Sequence, residues 1–216
     1  MSRESTLRRI LDGGIVAVVR AESGEQLAQV VKALAEGGVT AAEITFTVPD
    51  AVGVIRKVRE ELGDSVVIGA GTVLDPETAR AALLAGAEYI VAPTVNLDVI
   101  RLCRRYDKVV MPGALTPTEV VAAWEAGADV VKIFPAEVGG PAYIKALRGP
   151  LPQVRLMPTG GVDLSTADAF LKAGACCLGV GGSLVEAKAV TSGNWNRLRE
   201  LASQYADIVR RHRAGG

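Results

Sequence analysis

The chain has 216 residues with 24 basic and 24 acidic side chains, so it carries no formal net charge, and neither nucleic acid nor a membrane surface is implied as a partner. No run of about 18 apolar residues is free of charge or glycine, which excludes a membrane-spanning helix. The only histidine, His212, lies in the basic tail, and Cys103, Cys176 and Cys177 have no metal-ligand spacing, which excludes a Ser-His-Asp triad and the usual zinc sites and leaves lysine, carboxylate, tyrosine and backbone for chemistry.

In chain order, residues 1–14 read as a short amphipathic helix with Leu7, Ile10 and Leu11 on one side and without the apolar stretch of a signal peptide. With few, unpatterned cysteines, this predicts a cytoplasmic protein. Strands are predicted at 15–20, 41–46, 66–72, 89–93, 109–114, 130–135, 155–161 and 176–182, with helical patterns between them and a terminal helix from about 193 to 211. Helix starts are marked by Ser23 with Gln26, by Asp75-Pro76-Glu77, and by Thr116-Pro117-Thr118-Glu119. A degenerate repeat runs through the chain: helix end, glycine, strand, at Gly38, Gly86, Gly127 and Gly174. Glycine there supplies the left-handed conformation that closes a helix. Two βα units per repeat and eight alternating pairs imply a single α/β domain over 1–216, a small (β/α)8 TIM barrel with an extra N-terminal helix. An open doubly wound sheet is the rival. Cys176 and Cys177, adjacent in the last strand, are expected to point to opposite faces.

Side chains alternate along a strand. In 41–46 the apolar set is Ala42, Ile44 and Phe46, so Glu43, Thr45 and Thr47 should face the barrel interior. Lys132 sits in the apolar run VVKIFP (130–135), where an unpaired ammonium is costly to bury. A structural ion pair with Glu43 is one reading. Chemistry is the other: a lysine made neutral by apolar surroundings attacks ketones and forms a Schiff base. That reaction needs a proton-transfer group, and Glu43 is the only acid in the middle of a predicted strand. Glu88, Asp129 and Glu137 lie at strand boundaries, where solvated or capping carboxylates are expected, with Glu137 a reserve candidate.

In a barrel the active site lies at the C-terminal ends of the strands. Arg20, Thr47, Thr72, Pro93, Phe134, Thr159 and Ser183 fall at or just beyond such ends. The glycine clusters PTGG (158–161) and GVGGS (179–183), including Gly160, Gly161 and Gly182, end the last two strands, where backbone N–H groups with the Thr159 and Ser183 hydroxyls would hold phosphate or another anion. The third cluster, GAGT (69–72), is expected to let a substrate approach the backbone.

Through GGVTAAEITFTVPDA (37–51), IGAGTVL (68–74), MPGALTPTE (111–119), VKIFPAE (131–137), MPTGGV (157–162) and GVGGSLV (179–185), the chain resembles, over essentially its whole length, the class I 2-keto-3-deoxy-6-phosphogluconate (KDPG) and 4-hydroxy-2-oxoglutarate aldolases, which include the phosphogalactonate enzymes. The resemblance implies that Lys132 forms the Schiff base, that Glu43 is general acid and base, that Thr72 meets the substrate carboxylate, and that Gly160, Gly161 and Ser183 hold phosphate. It implies no metal and no cofactor, a small 2-keto acid substrate that is phosphorylated, and a homotrimer. One departure stands out: where many members carry a carboxylate-binding arginine four residues after the glutamate, this chain has Thr47, and Arg20 is the candidate replacement. Two rivals remain, a non-covalent phosphate-binding lyase or isomerase and a non-catalytic barrel.

Overall fold

The computed structural model describes residues 1–20 and 24–215, without the side chains of 24 and 25; the Ser23 cap falls outside that range. Its strands are β1 (Ile15–Val19), β2 (Ala41–Thr45), β3 (Val67–Gly71), β4 (Tyr89–Val91), β5 (Val109–Met111), β6 (Gly113–Ala114), β7 (Val131–Ile133), β8 (Leu156–Pro158) and β9 (Leu178–Val180). Helices α1 (Arg3–Gly13), α2 (Gly24–Glu36), α3 (Ala51–Leu62), α4 (Pro76–Leu84), α5 (Leu97–Arg105), α6 (Pro117–Glu125), α7 (Gly140–Arg148), α8 (Ala167–Lys172), α9 (Ala187–Thr191) and α10 (Trp195–Ala214) alternate with them. One parallel sheet has the order β5-β4-β3-β2-β1-β9, and a second has the order β6-β7-β8. The predicted strand at 109–114 is divided at Pro112, which has no N–H to give to a ladder. The Pro112 carbonyl still accepts from Lys132 N–H at 2.9 Å.

The sheet curls because its two faces meet different partners. Ala42, Ile44, Val131 and Ile133 join the cluster between sheet and helices, whereas Val16, Ala41, Val67, Met111 and Met157 form a separate cluster on the inner face. The alternation expected in β2 therefore holds. Helix α1 inserts Ile10 into the inner cluster with Leu7 and Leu11 beside it, so its apolar side covers the N-terminal end of the sheet. Thr116 and Glu119 form the reciprocal cap of α6, and the Asp75 side chain caps α4.

The repeat glycines all adopt positive φ: 96° at Gly38, 109° at Gly86, 99° at Gly127 and 100° at Gly174. They also serve as floors. A Cβ would lie 3.1 Å from the Arg59 stem at Gly86, 3.3 Å from Arg104 at Gly127 and 3.1 Å from Arg148 at Gly174. Arg59 reaches Glu88 at 3.0 Å, and Arg3 reaches Asp129 at 2.8 Å with Arg104 at 3.8 Å. Of the solvated or capping roles expected for Glu88 and Asp129 at strand boundaries, the solvated one does not hold, since both are buried and ion-paired. The corresponding place in the last repeat is taken by Cys176. Contrary to expectation, the Cys176 and Cys177 sulfurs lie on one side, 3.8 Å apart, because these residues form a bend before β9 and strand alternation does not apply.

Asp129 also accepts the buried Val110 N–H at 3.0 Å. Asp129→Ala is expected to cost about 1–3 kcal/mol by leaving that donor unpaired. The half-exposed arginine partners add little. Urea denaturation measures the loss, and an unchanged midpoint would show that the network carries no stability.

Candidate active site

Lys132 lies at the centre of β7, and because Val131 and Ile133 face the helices, its side chain must enter the curl of the sheet. It is 6% exposed, and Glu43 from β2 is 1% exposed. Nζ stands 3.9 Å from Glu43 Oε1, an ion pair longer than a hydrogen bond. Glu43 Oε2 is buried and without a hydrogen-bond partner among the described residues. Burial raises the Glu43 pKa above the ordinary carboxylate value, and the charges of Lys132 and then Arg20 offset this only in part.

The glycines of β3 make that pairing possible. A Cβ at Gly71 would sit 2.7 Å from Glu43 Oε1, and one at Gly69 would sit 2.4 Å from the ring of Tyr89. Within GAGT, Gly69 and Gly71 therefore make room for the side chains of Tyr89 and Glu43. Thr72, which follows, holds φ at 59°, a costly conformation for a β-branched residue.

Beside the pair opens a cavity of about 580 Å³ lined by Arg20, Phe134, Thr159, Gly160, Gly161, Gly182 and Ser183, all predicted from sequence. Phe134 links the two regions, since it is 37% exposed at the cavity and its ring centroid is 5.2 Å from Lys132 Nζ. Gly160 and Gly161 have φ of 92° and 68°, conformations that favour glycine. The loops that carry Gly160–Gly161 and Gly182–Ser183 thus bring backbone to the wall of this cavity, where an anion could meet it. The Ser183 hydroxyl is differently placed from expectation: it donates to the Val162 carbonyl at 2.6 Å and accepts from Tyr205 at 3.1 Å. Thr159 Oγ1 is buried and unpartnered, against Gly179, where a Cβ would come within 2.1 Å.

Thr47, Thr72 and Pro93 do not line this cavity. Thr47 is exposed and shares a 2.7 Å hydrogen bond with Thr45, and Pro93 meets Gly113 backbone to backbone, where a Cβ would lie 2.3 Å from the proline carbonyl. Glu137, the reserve acid, is exposed beside Gly161. Asp163 lines the cavity and escaped the sequence reading; hydrogen bonds from Ser165 and Thr166 hold its pKa below the ordinary value. Its signal was the turn pattern VDLST, which reads only as a helix start. No group of three or more His, Cys, Asp or Glu residues suited to a metal occurs among the described residues.

An amine facing a buried carboxylate of raised pKa, next to a cavity lined by two glycine loops and one arginine, is equipped for imine formation and proton transfer on an anionic carbonyl compound. The family model described as KDPG and KHG aldolase matches residues 6–201. A 2-dehydro-3-deoxy-phosphogluconate aldolase of Pseudomonas aeruginosa is 37% identical over 98% of this chain and 96% of its own. A 2-dehydro-3-deoxy-6-phosphogalactonate aldolase of Escherichia coli is 36% identical over 80% of this chain and 85% of its own. The structure of a KDPG aldolase from Legionella pneumophila, with pyruvate captured as a covalent carbinolamine, aligns with a TM-score of 0.86 at 26% identity over 92% of this chain and 96% of its own.

Proposed function

The chain belongs to the KDPG and KHG aldolase family, and from that premise we propose that it is a class I aldolase cleaving 2-keto-3-deoxy-6-phosphogluconate to pyruvate and glyceraldehyde 3-phosphate. The observation that carries this reading is the inward-facing Lys132, 3.9 Å from the buried Glu43 and next to an anion-suited cavity. The neutral amine of Lys132 adds to the C2 ketone, and Glu43 moves the protons that turn the carbinolamine into an iminium with loss of water. Through a water molecule, Glu43 then takes the proton of the C4 hydroxyl. The C3–C4 bond breaks, its electron pair passes into the iminium as an enamine, and the aldehyde leaves. Protonation at C3 and hydrolysis release pyruvate and restore the amine. No metal or cofactor takes part in these steps.

Thr72 holds the keto-acid carboxylate, with Thr47, Pro93 and Phe134 shaping that side of the mouth. The phosphate lies at the N–H groups of Gly160, Gly161, Gly182 and Ser183, with the Thr159 hydroxyl nearby. Arg20 replaces the cation missing at Thr47 and lies between the two anionic ends of the substrate, a reading supported by its place beside the glycine loops and its pull on Glu43. Arg20→Ala is expected to raise KM for phosphorylated substrate roughly tenfold or more, in line with about 1.5–3 kcal/mol for a charge-assisted contact, with a smaller change in kcat. An unchanged KM would remove Arg20 from the site.

The two sheets close into an eight-stranded barrel with α1 across its N-terminal end. Three features support this: β5 and β6 are separated only by Pro112, Thr159 and Gly179 bridge β8 and β9, and a helix follows every strand but β5. The protein works as a cytoplasmic homotrimer, for which exposed Leu84, Trp124 and Val138 provide apolar surface. 4-Hydroxy-2-oxoglutarate, giving glyoxylate, is a second substrate, and the phosphogalactonate epimer is the rival first one, favoured by the Escherichia coli relative. Assaying the three acids side by side tests the assignment. The highest kcat/KM is expected for the phosphogluconate-derived acid, and no turnover of any of them would overturn the reading.

A further inference from the structure

Behind the catalytic pair lies a tyrosine that neither the mechanism nor the anion cavity uses. Tyr89 is fully buried on the inner face of β4, and its hydroxyl has no hydrogen-bond partner among the described residues. Strand register shows where that hydroxyl goes. Tyr89 is paired with Gly69 on β3, and Gly69 is paired with Glu43 on β2. The far end of the tyrosine ring, Cζ and both Cε atoms, lies over Gly69, where a Cβ would come within 2.5 Å of each of them. The ring thus runs from β4 across β3 and directs its hydroxyl toward β2. The Glu43 carboxylate lies over Gly71, the next inward position of β3. Two buried, unpartnered oxygens, Tyr89 Oη and Glu43 Oε2, therefore come from inward-facing side chains of the strands on either side of β3. Buried polar groups are almost always satisfied, commonly through an enclosed water with several polar neighbours.

The geometry points to Tyr89 as a positioning residue that donates, through one buried water, to the inner oxygen of Glu43 and so sets both the orientation and the proton affinity of the general acid–base. The proposal rests on the aldolase reading above. Its physical content is that Oε1 is turned to Lys132 and the substrate, and the tyrosine holds Oε2. A donor to a carboxylate favours the charged form, which opposes the effect of burial on Glu43. The other groups facing the carboxylate are Lys132 from β7 and Arg20 from the end of β1. Cys177 and Glu88 lie on the Tyr89 side, and Glu88 is turned to Arg59. Burial first, and then the Glu43 charge, raise the tyrosine's own pKa, so it remains a protonated donor throughout the working range.

Tyr89→Phe keeps the ring over Gly69 and deletes only the donor. The expected result is a displacement of the acid limb of the kcat profile to higher pH by about one unit, the size of a tenfold change in proton affinity. KM near the pH optimum should stay within about twofold, because the tyrosine touches no substrate, and such a split between kcat and KM marks a residue acting through another. Site-specific 3,5-difluorotyrosine at position 89, which keeps the ring and strengthens the donor, should move the limb the opposite way and serves if the phenylalanine variant folds poorly. An acid limb unchanged in both variants overturns the role of Tyr89. Borohydride with pyruvate, run in parallel on the unmodified enzyme, separates this from failure of the underlying reading: no reduced adduct there would sink the Schiff base itself, whereas an adduct with an unmoved limb would sink Tyr89 alone.

Discussion

Lys132→Ala is expected to abolish aldol cleavage, with kcat/KM falling by roughly 10⁴- to 10⁶-fold, the scale of loss when a covalent nucleophile is removed. The prediction rests on the geometry of β7. The flanking Val131 and Ile133 pack outward, so the amine is the only polar group this strand sends into the curl of the sheet, and it is 6% exposed. A charged amine there has no stability argument in its favour, since a buried pair is often no better than an apolar replacement. Lys132→Arg sharpens the test. It keeps the charge facing Glu43 but cannot form a Schiff base with a ketone, so an electrostatic clamp would retain much of its rate and a nucleophile would not. Mass spectrometry after borohydride reduction in the presence of pyruvate should find the adduct on Lys132 in the unmodified protein and in neither variant. An active Lys132→Arg enzyme would falsify the covalent mechanism.

Glu43→Gln is expected to lower kcat by roughly 10²- to 10⁴-fold, the usual contribution of a positioned acid–base group. Glutamine preserves the shape over Gly71, so the loss reports proton transfer and not packing. Trapping on Lys132 should survive at a reduced rate, because the amine still adds to the ketone and solvent can supply, more slowly, the proton that the carbinolamine needs to lose water. The pH profile gives the second signature. Cleavage of the C3–C4 bond needs Glu43 ionised, and burial holds its pKa above the ordinary carboxylate value, so activity should fall as pH drops through that raised value. The acid limb is then expected at higher pH than an exposed glutamate would place it, and it should vanish in the glutamine variant. A variant that keeps both rate and limb would move the proton-transfer role elsewhere, with the exposed Glu137 the next candidate.

Much of the site was legible because its signals are local. A lysine between valine and isoleucine in a short strand names itself, and alternation in β2 was enough to turn Glu43 inward. The glycine pairs after β8 and β9 picked out loops that line the cavity, since positive φ at Gly160 and Gly161 is a property of the residue itself. Other readings failed where the deciding neighbour was remote in sequence. That Gly69 and Gly71 accommodate Tyr89 and Glu43 from the two adjacent strands had no signal in the sequence. Ser183 looked like a phosphate donor, but its hydroxyl is committed to Val162, and Tyr205 from α10 donates to it. Glu88 and Asp129 looked solvated because Arg59 and Arg3 approach from other helices. Cys176 and Cys177 were given strand geometry that the bend before β9 does not have.

By itself, then, the sequence determined the alternation of strands and helices, the glycine-closed repeat, the inward lysine of β7 and the glycine loops after β8 and β9, because each depends on a residue's own conformational limits or on a period within one element. The tertiary structure alone decided the 3.9 Å approach of Lys132 to Glu43, the enclosure of Tyr89 behind them and the place of Arg20 beside the glycine loops. Those depend on inter-strand register and on the curl of the sheet. Periodicity tells which way a side chain faces, but only the closed packing of remote strands determines what it meets.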